Sequence, residues 1–360
     1  MSVAKLNEQL TKVGCYTEVF TTAANGNTEL PIVPGAQMMV DNVPVTYFKR
    51  LTKDHSHFSP ALLRRLWKEA RNFDVIHIHA WWNTVSVLSC VVALLRRVPV
   101  LISPRGTLSS YSFGNRNNSY KQIIHRLLGR GLLSRSHIHT TSAHESESIK
   151  ALICPKSLHQ LPNLVTLGPS LPSAERGTDK VLQVIFFSRI EEKKGLELLL
   201  DALPALNVPY QLTIAGNGTP AYIARLKEQS SRLQLEKHIT WPGFQLGNKF
   251  DLLSKHDLMI LPSYDENFAN VVIESLSVGT PVLVSKYVGL ADYVLENDFG
   301  WVWDPDQISL ASFLKDIVVQ HTKFQKIRAT APEKIRQDFD DISLARKYAT
   351  MYTKIIHDRI

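Results

Sequence analysis

Short apolar runs alternate along this chain with helix-length stretches, and turn residues stand between them. A buried run too short to be a helix, followed by an amphipathic helix and another apolar run, is best satisfied by a parallel sheet with helices on its faces. In the first half, Thr17–Thr21, Val43–Phe48, Val75–His79, Val98–Ser103 and Ile138–Ser142 read as strands. Val3–Lys12, Ala61–Asn72, Val85–Leu95 and Tyr120–Leu133 read as the helices among them. Around Pro169–Thr178 the composition turns to Pro, Ser, Gly and charge, which marks a linker. A second series then begins, with strands at Gln183–Ser188, Tyr210–Ala215, Ile239–Trp241, Leu258–Leu261 and Val282–Ser285. Its helices read at Leu196–Leu203, Ala221–Gln234 and Asn270–Val278, with a terminal helix near Ile342–His357.

The fold class this predicts is α/β: two Rossmann-like doubly wound domains facing each other across a cleft, with ligands outside the carboxyl ends of the strands. At 360 residues each domain can bury its own core. The predicted boundaries are 1–168 for the first domain, 169–180 for the linker, 181–340 for the second domain and 341–360 for the terminal helix. One part is missing. A doubly wound domain normally opens on a central strand and a Gly-rich turn into its first helix. Here MSVAKLNEQLTKVGCYTEVF reads directly as that helix and the second strand, so the first domain is predicted to lack its first strand. Two explanations stay open: a recorded start that has lost about 15–25 residues, the size of a strand plus turn, or a domain damaged by the loss.

Charge separates the two halves. Residues 1–170 carry 19 Lys and Arg against 9 Asp and Glu, and the remainder 22 against 24. A basic first half suggests an anionic partner. No nucleic-acid module accompanies it, which leaves an anionic membrane surface or a phosphate-bearing acceptor, or merely a solvated basic face. Cys15, Cys90 and Cys154 are far apart, without CxxC or metal spacing, and read as reduced thiols of a cytoplasmic protein. The N-terminus has no apolar signal-peptide core. The run Val85–Leu95 is about half the roughly 20 residues of a spanning helix, so any contact with the inner face of a membrane is expected to be peripheral.

The most informative stretch is LPSYDENFANVVIESLSVGTPVLVS, residues 261–285. A buried strand ends at Pro262 and Ser263, a helix runs from Phe268 to Val278, and Gly279 can close it in the left-handed conformation. Glu266 then sits in the loop at the strand's carboxyl end and Glu274 inside the helix. Phe268, Ala269 and Asn270 offer free N–H groups at the helix start, where phosphate or sugar oxygens bind well. In FFSRIEEKKGLELLL, residues 186–200, Arg189 ends a strand and Lys194-Gly195 precedes a helix.

Glu266-x7-Glu274 in this setting resembles the E-x7-E signature of family 4 glycosyltransferases, retaining enzymes of the GT-B fold that use nucleotide sugars. Arg189-x4-Lys194-Gly195 resembles that family's Arg-x4-Lys-Gly, with Ser188 where the family usually has Gly. The resemblance implies that Arg189 and Lys194 neutralise the donor diphosphate, that Glu274 holds the ribose hydroxyls and that Glu266 with adjacent backbone amides faces the donor sugar. Cations suit this task because the leaving diphosphate gains charge in the transition state; the resemblance implies no metal and no other cofactor. Supporting marks come in the family's order: Leu161-Pro162-Asn163, with Leu164 in place of Gly; Ala215-Gly216-Asn217-Gly218; and Trp241-Pro242-Gly243-Phe244 ahead of a base-binding region near Phe244–Leu246.

In the first half, FDVIHIHAWW reads as a buried strand whose period of two puts His77 and His79 on one face. The resemblance assigns His79, at the carboxyl end, to the donor sugar; His77 is given to core packing, and His137 and His139 to structure. Ser103-Pro104-Arg105-Gly106-Thr107 opens a polar loop that resembles a subset of family 4 enzymes, and it is expected to carry Arg105 and Arg116 to the acceptor. The reaction implied is transfer of a sugar from UDP, GDP or ADP to a hydroxyl of a glycan or lipid-linked acceptor in surface polysaccharide synthesis. The alternatives are an N-terminally truncated, catalytically impaired transferase-like scaffold that binds nucleotide, or a nucleotide-sugar epimerase of the same architecture, against which the E-x7-E placement argues.

Overall fold

The computed structural model describes residues 2–26, 28–52, 54, 56–109, 129–169, 181–245 and 247–358. Arg116, Leu246 and most of the linker expected at 169–180 lie outside these described residues. The chain divides into two units: 1–164 together with 341–360, and 165–340.

The first unit opens on α1 (Ser2–Lys12), then β1 (Val19–Thr22), a short hairpin of β2 (Ala24–Asn25) and β3 (Thr28–Glu29), β4 (Gln37–Val40) and β5 (Val43–Phe48). Helix α2 (Pro60–Glu69) starts where Ser59 accepts a hydrogen bond from Leu62 N and Pro60 fills the first helical position. It tightens into a 3-10 turn over Ala70–Asn72. Next come β6 (Ile76–His79), α3 (Thr84–Leu95), capped by Asn83, and β7 (Val100–Ser103). β7 begins two residues later than the sequence suggests, because Arg97 takes a positive φ of 60° and Pro99 has no N–H to give a ladder. Of the helix expected at Tyr120–Leu133, the described part is α4 (Arg130–Leu133). The strand expected at Ile138–Ser142 is β8 (His137–Thr140); it stops early because Ser142 caps α5 (Ala143–Leu152) through Glu145 N. β9 (Ser157–Gln160) follows.

The second unit runs β10 (Leu182–Phe187), α6 (Leu196–Ala202), β11 (Tyr210–Ala215), α7 (Pro220–Arg232), β12 (Ile239–Gly243), α8 (Lys249–Ser254), β13 (Leu258–Leu261) and α9 (Asn270–Ser277). β14 (Val282–Ser285), α10 (Ala291–Glu296), β15 (Gly300–Trp303), α11 (Leu310–Ile317) and α12 (His321–Asp338) complete it. The last helix, α13 (Asp341–His357), belongs to the first unit, where it packs on α1 and Asp341 pairs with Lys5 at 2.8 Å.

The two units differ in their sheets. In the second, six parallel strands stand in the order β12-β11-β10-β13-β14-β15, with β10 paired on one side to β11 and on the other to β13. This is the doubly wound order 3-2-1-4-5-6, whose reversal point lies between β10 and β13. In the first unit, β1, β5 and β4 form one sheet and β6, β7, β8 and β9 another. β1 runs parallel to β5, and the second sheet is parallel throughout. The strand that would join them is absent from the described residues. Ile78, Trp81, Cys90, Ile102, Leu108 and Ile138 form a core beneath the second of these sheets. Among the described residues no helix is long and apolar enough to cross a membrane.

Candidate functional site

The second unit places its charged residues at the reversal point. After β10 the chain turns through Ser188–Glu191 into a 3-10 turn at Glu192–Lys194, and Gly195 takes a φ of 66° to start α6. A Cβ on Gly195 would stand 2.2 Å from Pro262 O, so only glycine lets this turn lie against the end of β13. The Gly turn after β11 supports it from the other side: Ile190 N donates to Asn217 O at 2.8 Å, and a Cβ on Gly216 would stand 1.8 Å from Ser188 O.

This close fit buries Lys194 at 6% exposure, and its Nζ pairs with Glu266 Oε2. Burial pushes the Lys194 ammonium down to about 8, with Arg189 and Lys193 adding to the drop. Glu266 is fixed by its own backbone, which donates to Tyr287 O at 3.0 Å and accepts from Gly289 N at 2.8 Å. Beside it, Lys193 pairs with the buried Asp265 at 2.7 Å. Arg189 is different: its side chain is 73% exposed and meets Glu191 at 2.8 Å.

From the same loop the chain enters α9. Ala269 has a φ of 65°, which no helix accepts, so α9 starts at Asn270 rather than at Phe268, and no side chain caps it. The Phe268 ring is buried edge-on against Phe339, which leaves only its backbone for a ligand. Glu274 lies in the second turn of α9, and its Oε1 accepts from Lys249 Nζ at 2.7 Å. A cation that holds one oxygen of a carboxylate leaves the other oxygen to accept further hydrogen bonds.

The first unit has its own cluster. His77 and His79 share one face of β6, with ring centroids 4.1 Å apart. His77 is consumed by structure: its Nδ1 meets Tyr352 Oη at 2.8 Å and its Nε2 meets Ser103 Oγ at 2.7 Å. That serine also meets His139 Nδ1 at 2.7 Å, and Tyr348 Oη meets His139 Nε2 at 3.0 Å. His79 Nδ1 accepts from Arg105 Nε at 3.3 Å. Burial, then the Arg105 charge, holds His79 well below its ordinary value, so the ring is neutral at pH 7. With Nδ1 accepting, its proton resides on Nε2, ready to donate.

Arg105 sits in the left-handed region at φ 53° and also donates to Asn163 Oδ1 at 3.2 Å. The carboxylate of Glu145, 5% exposed, accepts from Gly106 N at 2.9 Å and Thr141 N at 2.8 Å. The Ser-Pro-Arg-Gly loop is therefore tied to the start of α5. Arg116, its expected companion, lies outside the described residues.

Residues 2–163 match the family described as Glycosyl transferase 4-like domain, and residues 173–332 match Glycosyl transferases group 1. The chain belongs to the family 4 glycosyltransferases. WcaL of Salmonella typhimurium, assigned by name to colanic acid biosynthesis, is 29% identical over 186 residues, 48% of this chain and 45% of WcaL. The chain thus matches less than half the length of that relative. Among solved structures, sucrose-phosphate synthase of Thermosynechococcus elongatus aligns with a TM-score of 0.76 at 18% identity, over 99% of this chain and 93% of that one. HepE of Anabaena, solved with UDP and glucose, aligns at 0.73 with 19% identity, over 98% and 96%. The fold is GT-B.

Within this chain the structure brings Lys194 and Glu266 into one ion pair and sets Glu274 on the helix that leaves the same loop. It joins His79 to Arg105 in the other unit. Lys249, Glu145, Tyr348 and Tyr352 escaped the sequence reading. For Glu145 a signal existed, since Ser142-x-x-Glu145 is a capping-box pattern. For Lys249, which follows the turn residues Gly247 and Asn248, no spacing rule points to Glu274.

Proposed function

We propose that this protein transfers a sugar, with retention of anomeric configuration, from a nucleoside diphosphate to a hydroxyl of a glycan or lipid-linked acceptor. The second unit takes the donor. Lys194 and Arg189 meet the diphosphate, Glu274, steadied by Lys249, accepts from the ribose hydroxyls, and Glu266 with the N–H groups of Phe268, Ala269 and Asn270 faces the sugar. His79 donates from Nε2 to a sugar oxygen, and Arg105 with Arg116 serves the acceptor. No metal is required in this reading, because the two cations meet the charge that develops on the leaving phosphate. That phosphate departs from the face on which the acceptor hydroxyl attacks an oxocarbenium-like carbon, and the hydroxyl proton passes to the phosphate oxygen. The protein's share is positioning and charge stabilisation.

The observation that carries this reading is the buried Lys194–Glu266 pair at the reversal point of the second sheet. A buried, desolvated ammonium held on one carboxylate is poised to exchange part of that partnership for a phosphate. The basic first half and WcaL's printed role favour an acceptor of surface polysaccharide type at the inner face of the cytoplasmic membrane. The test is product analysis by NMR with UDP-, GDP- and ADP-sugars and glycan acceptors. Retention at the transferred anomeric carbon is expected; inversion would remove the same-face mechanism.

A further inference from the structure

The face of the second sheet that meets α13 is built of histidine and serine rather than aliphatic side chains. β6 reads Ile-His-Ile-His and β8 reads His-Ile-His-Thr. By alternation Ile78, Ile102 and Ile138 enter the core on one side, and His77, His79, Ser103 and His139 share the other. Register sets His79 beside Ser103, with His139 on the strand beyond. Ser103 and His139 are 0% and 1% exposed, and buried polar groups require partners. Tyr348 and Tyr352, four residues apart on α13, reach into this group from one face of the helix.

The donors and acceptors available give each of these hydrogen bonds one direction. Tyr348 Oη donates to Pro162 O at 3.0 Å, and the carbonyl of Leu161 can only accept. His139 Nε2, which meets Leu161 O at 2.9 Å and Tyr348 Oη at 3.0 Å, therefore carries a proton. Burial pushes His139 down to about 3, so the ring is neutral and its Nδ1 accepts. The donor there is Ser103 Oγ at 2.7 Å. With its one proton committed to His139, Ser103 accepts from His77 Nε2 at 2.7 Å. Desolvation, helped by the neighbouring His79, His139 and Arg105, holds His77 well below its ordinary value. Its Nδ1 is thus left to accept from Tyr352 Oη at 2.8 Å. The relay runs one way, from Tyr352 through His77, Ser103 and His139 to Leu161 O.

His77, fixed at both nitrogens, is the surface on which His79 rests. The two ring centroids are 4.1 Å apart and the planes are tilted by 38°. Arg105 Nε holds His79 at Nδ1. A turned His77 ring would remove that support, and a charged one would add a second cation beside a ring already facing a guanidinium.

We propose that Tyr352 and Ser103 are positioning residues for His79, acting through the tautomer and orientation they impose on His77. Their effect on sugar transfer rests on the proposed contact of His79 with the donor sugar, whereas the tautomers do not depend on it.

Nitrogen-15 NMR of the full chain with labelled histidine tests this, with signals assigned from His77→Gln, His79→Gln and His139→Gln. At pH 7 His77 and His139 should each show a protonated Nε2 and an unprotonated Nδ1. Tyr352→Phe removes the first donor, so His77 should lose its single tautomer and the His79 signals should shift with it. Tyr348→Phe removes a group that only receives at the far end, where Leu161 O remains, and should leave His77 and His79 unmoved. Weakened packing of α13 alone would act alike in the two variants. A proton on Nδ1 of either ring in the wild-type protein would overturn the relay. Unchanged His77 and His79 signals in Tyr352→Phe would overturn the positioning. If Tyr352→Phe does not fold, the wild-type tautomers and Ser103→Ala, which breaks the relay one step further on, decide. In a transfer assay Tyr352→Phe should lower turnover roughly tenfold with the donor KM within about twofold, and unchanged turnover would also overturn the positioning. A protein with these tautomers and no transfer would count against the donor-sugar contact of His79 and leave the relay standing.

Discussion

The two units are built from the same strand–helix alternation, yet among the described residues the second has one continuous six-stranded sheet and the first has two separate ones. In the second unit β10 joins both halves of the sheet, and close contacts follow at its carboxyl end: a Cβ on Gly195, Gly216 or Gly218 would each meet a carbonyl oxygen within 2.2 Å. In the first unit Gly14, Gly26, Gly35 and Gly131 have nothing within 4 Å. The lesson is that the charged site sits where the sheet is complete. Lys194 can be buried against Glu266 because the loops after β10, β11 and β13 press on one another.

The comparison predicts effects of unequal size. The largest belongs to Gly216→Ala, which forces a methyl into Ser188 O at a φ of 152°. It should destabilise the second unit by about 3–4 kcal/mol, whereas Gly14→Ala, strained only by its φ of 86°, should cost about 1–2 kcal/mol. Denaturant melts that gave equal losses would break the contrast. Next, Lys194→Ala leaves the Glu266 carboxylate without its cation and, on the proposed reading, removes a phosphate contact, so nucleoside diphosphate binding should fall about a hundredfold. Arg189→Ala, starting from an exposed side chain, should lose about tenfold or less, and calorimetry measures both.

A smaller effect is set by pH. On the proposed reading the cationic form of Lys194 binds the diphosphate, and burial holds its ammonium at about 8. Affinity should therefore be roughly fourfold weaker at pH 8.5 than at pH 7, as a single group of that pKa requires, while below about pH 6 protonation of the diphosphate itself weakens it. Strengthening from pH 7 to pH 8.5 would contradict the sign. Smallest of all, His79→Ala should change diphosphate affinity by about twofold or less while turnover drops, since His79 belongs to the first unit and stays neutral throughout this range.

Much of this was legible in the sequence, and for identifiable reasons. Val43–Phe48 coincides with β5 and Tyr210–Ala215 with β11, because each is a short, mostly apolar run between turn residues. The opening helix was legible too, since MSVAKLNEQLTK has helical period and a polar face, and α1 covers Ser2–Lys12. Less visible were β4 and β9, edge strands without a buried residue: Gln37, Met38 and Met39 of β4 are exposed, and β9 carries Ser157, His159 and Gln160. The start of α9 was misplaced because nothing in Phe268-Ala269-Asn270 announces a left-handed alanine. The Lys249–Glu274 pair was hidden because its partners are 25 residues apart and joined only by tertiary packing.

The central claim is that the second unit holds an assembled nucleoside diphosphate site around Lys194, Glu266 and Glu274. Isothermal titration of UDP, GDP and ADP against the wild-type protein and Glu274→Ala tests it most directly. The expected result is that one diphosphate binds and that Glu274→Ala weakens it about tenfold or more, by loss of the ribose contacts. Failure of all three to bind a folded sample, or equal affinity in the variant, would contradict the account.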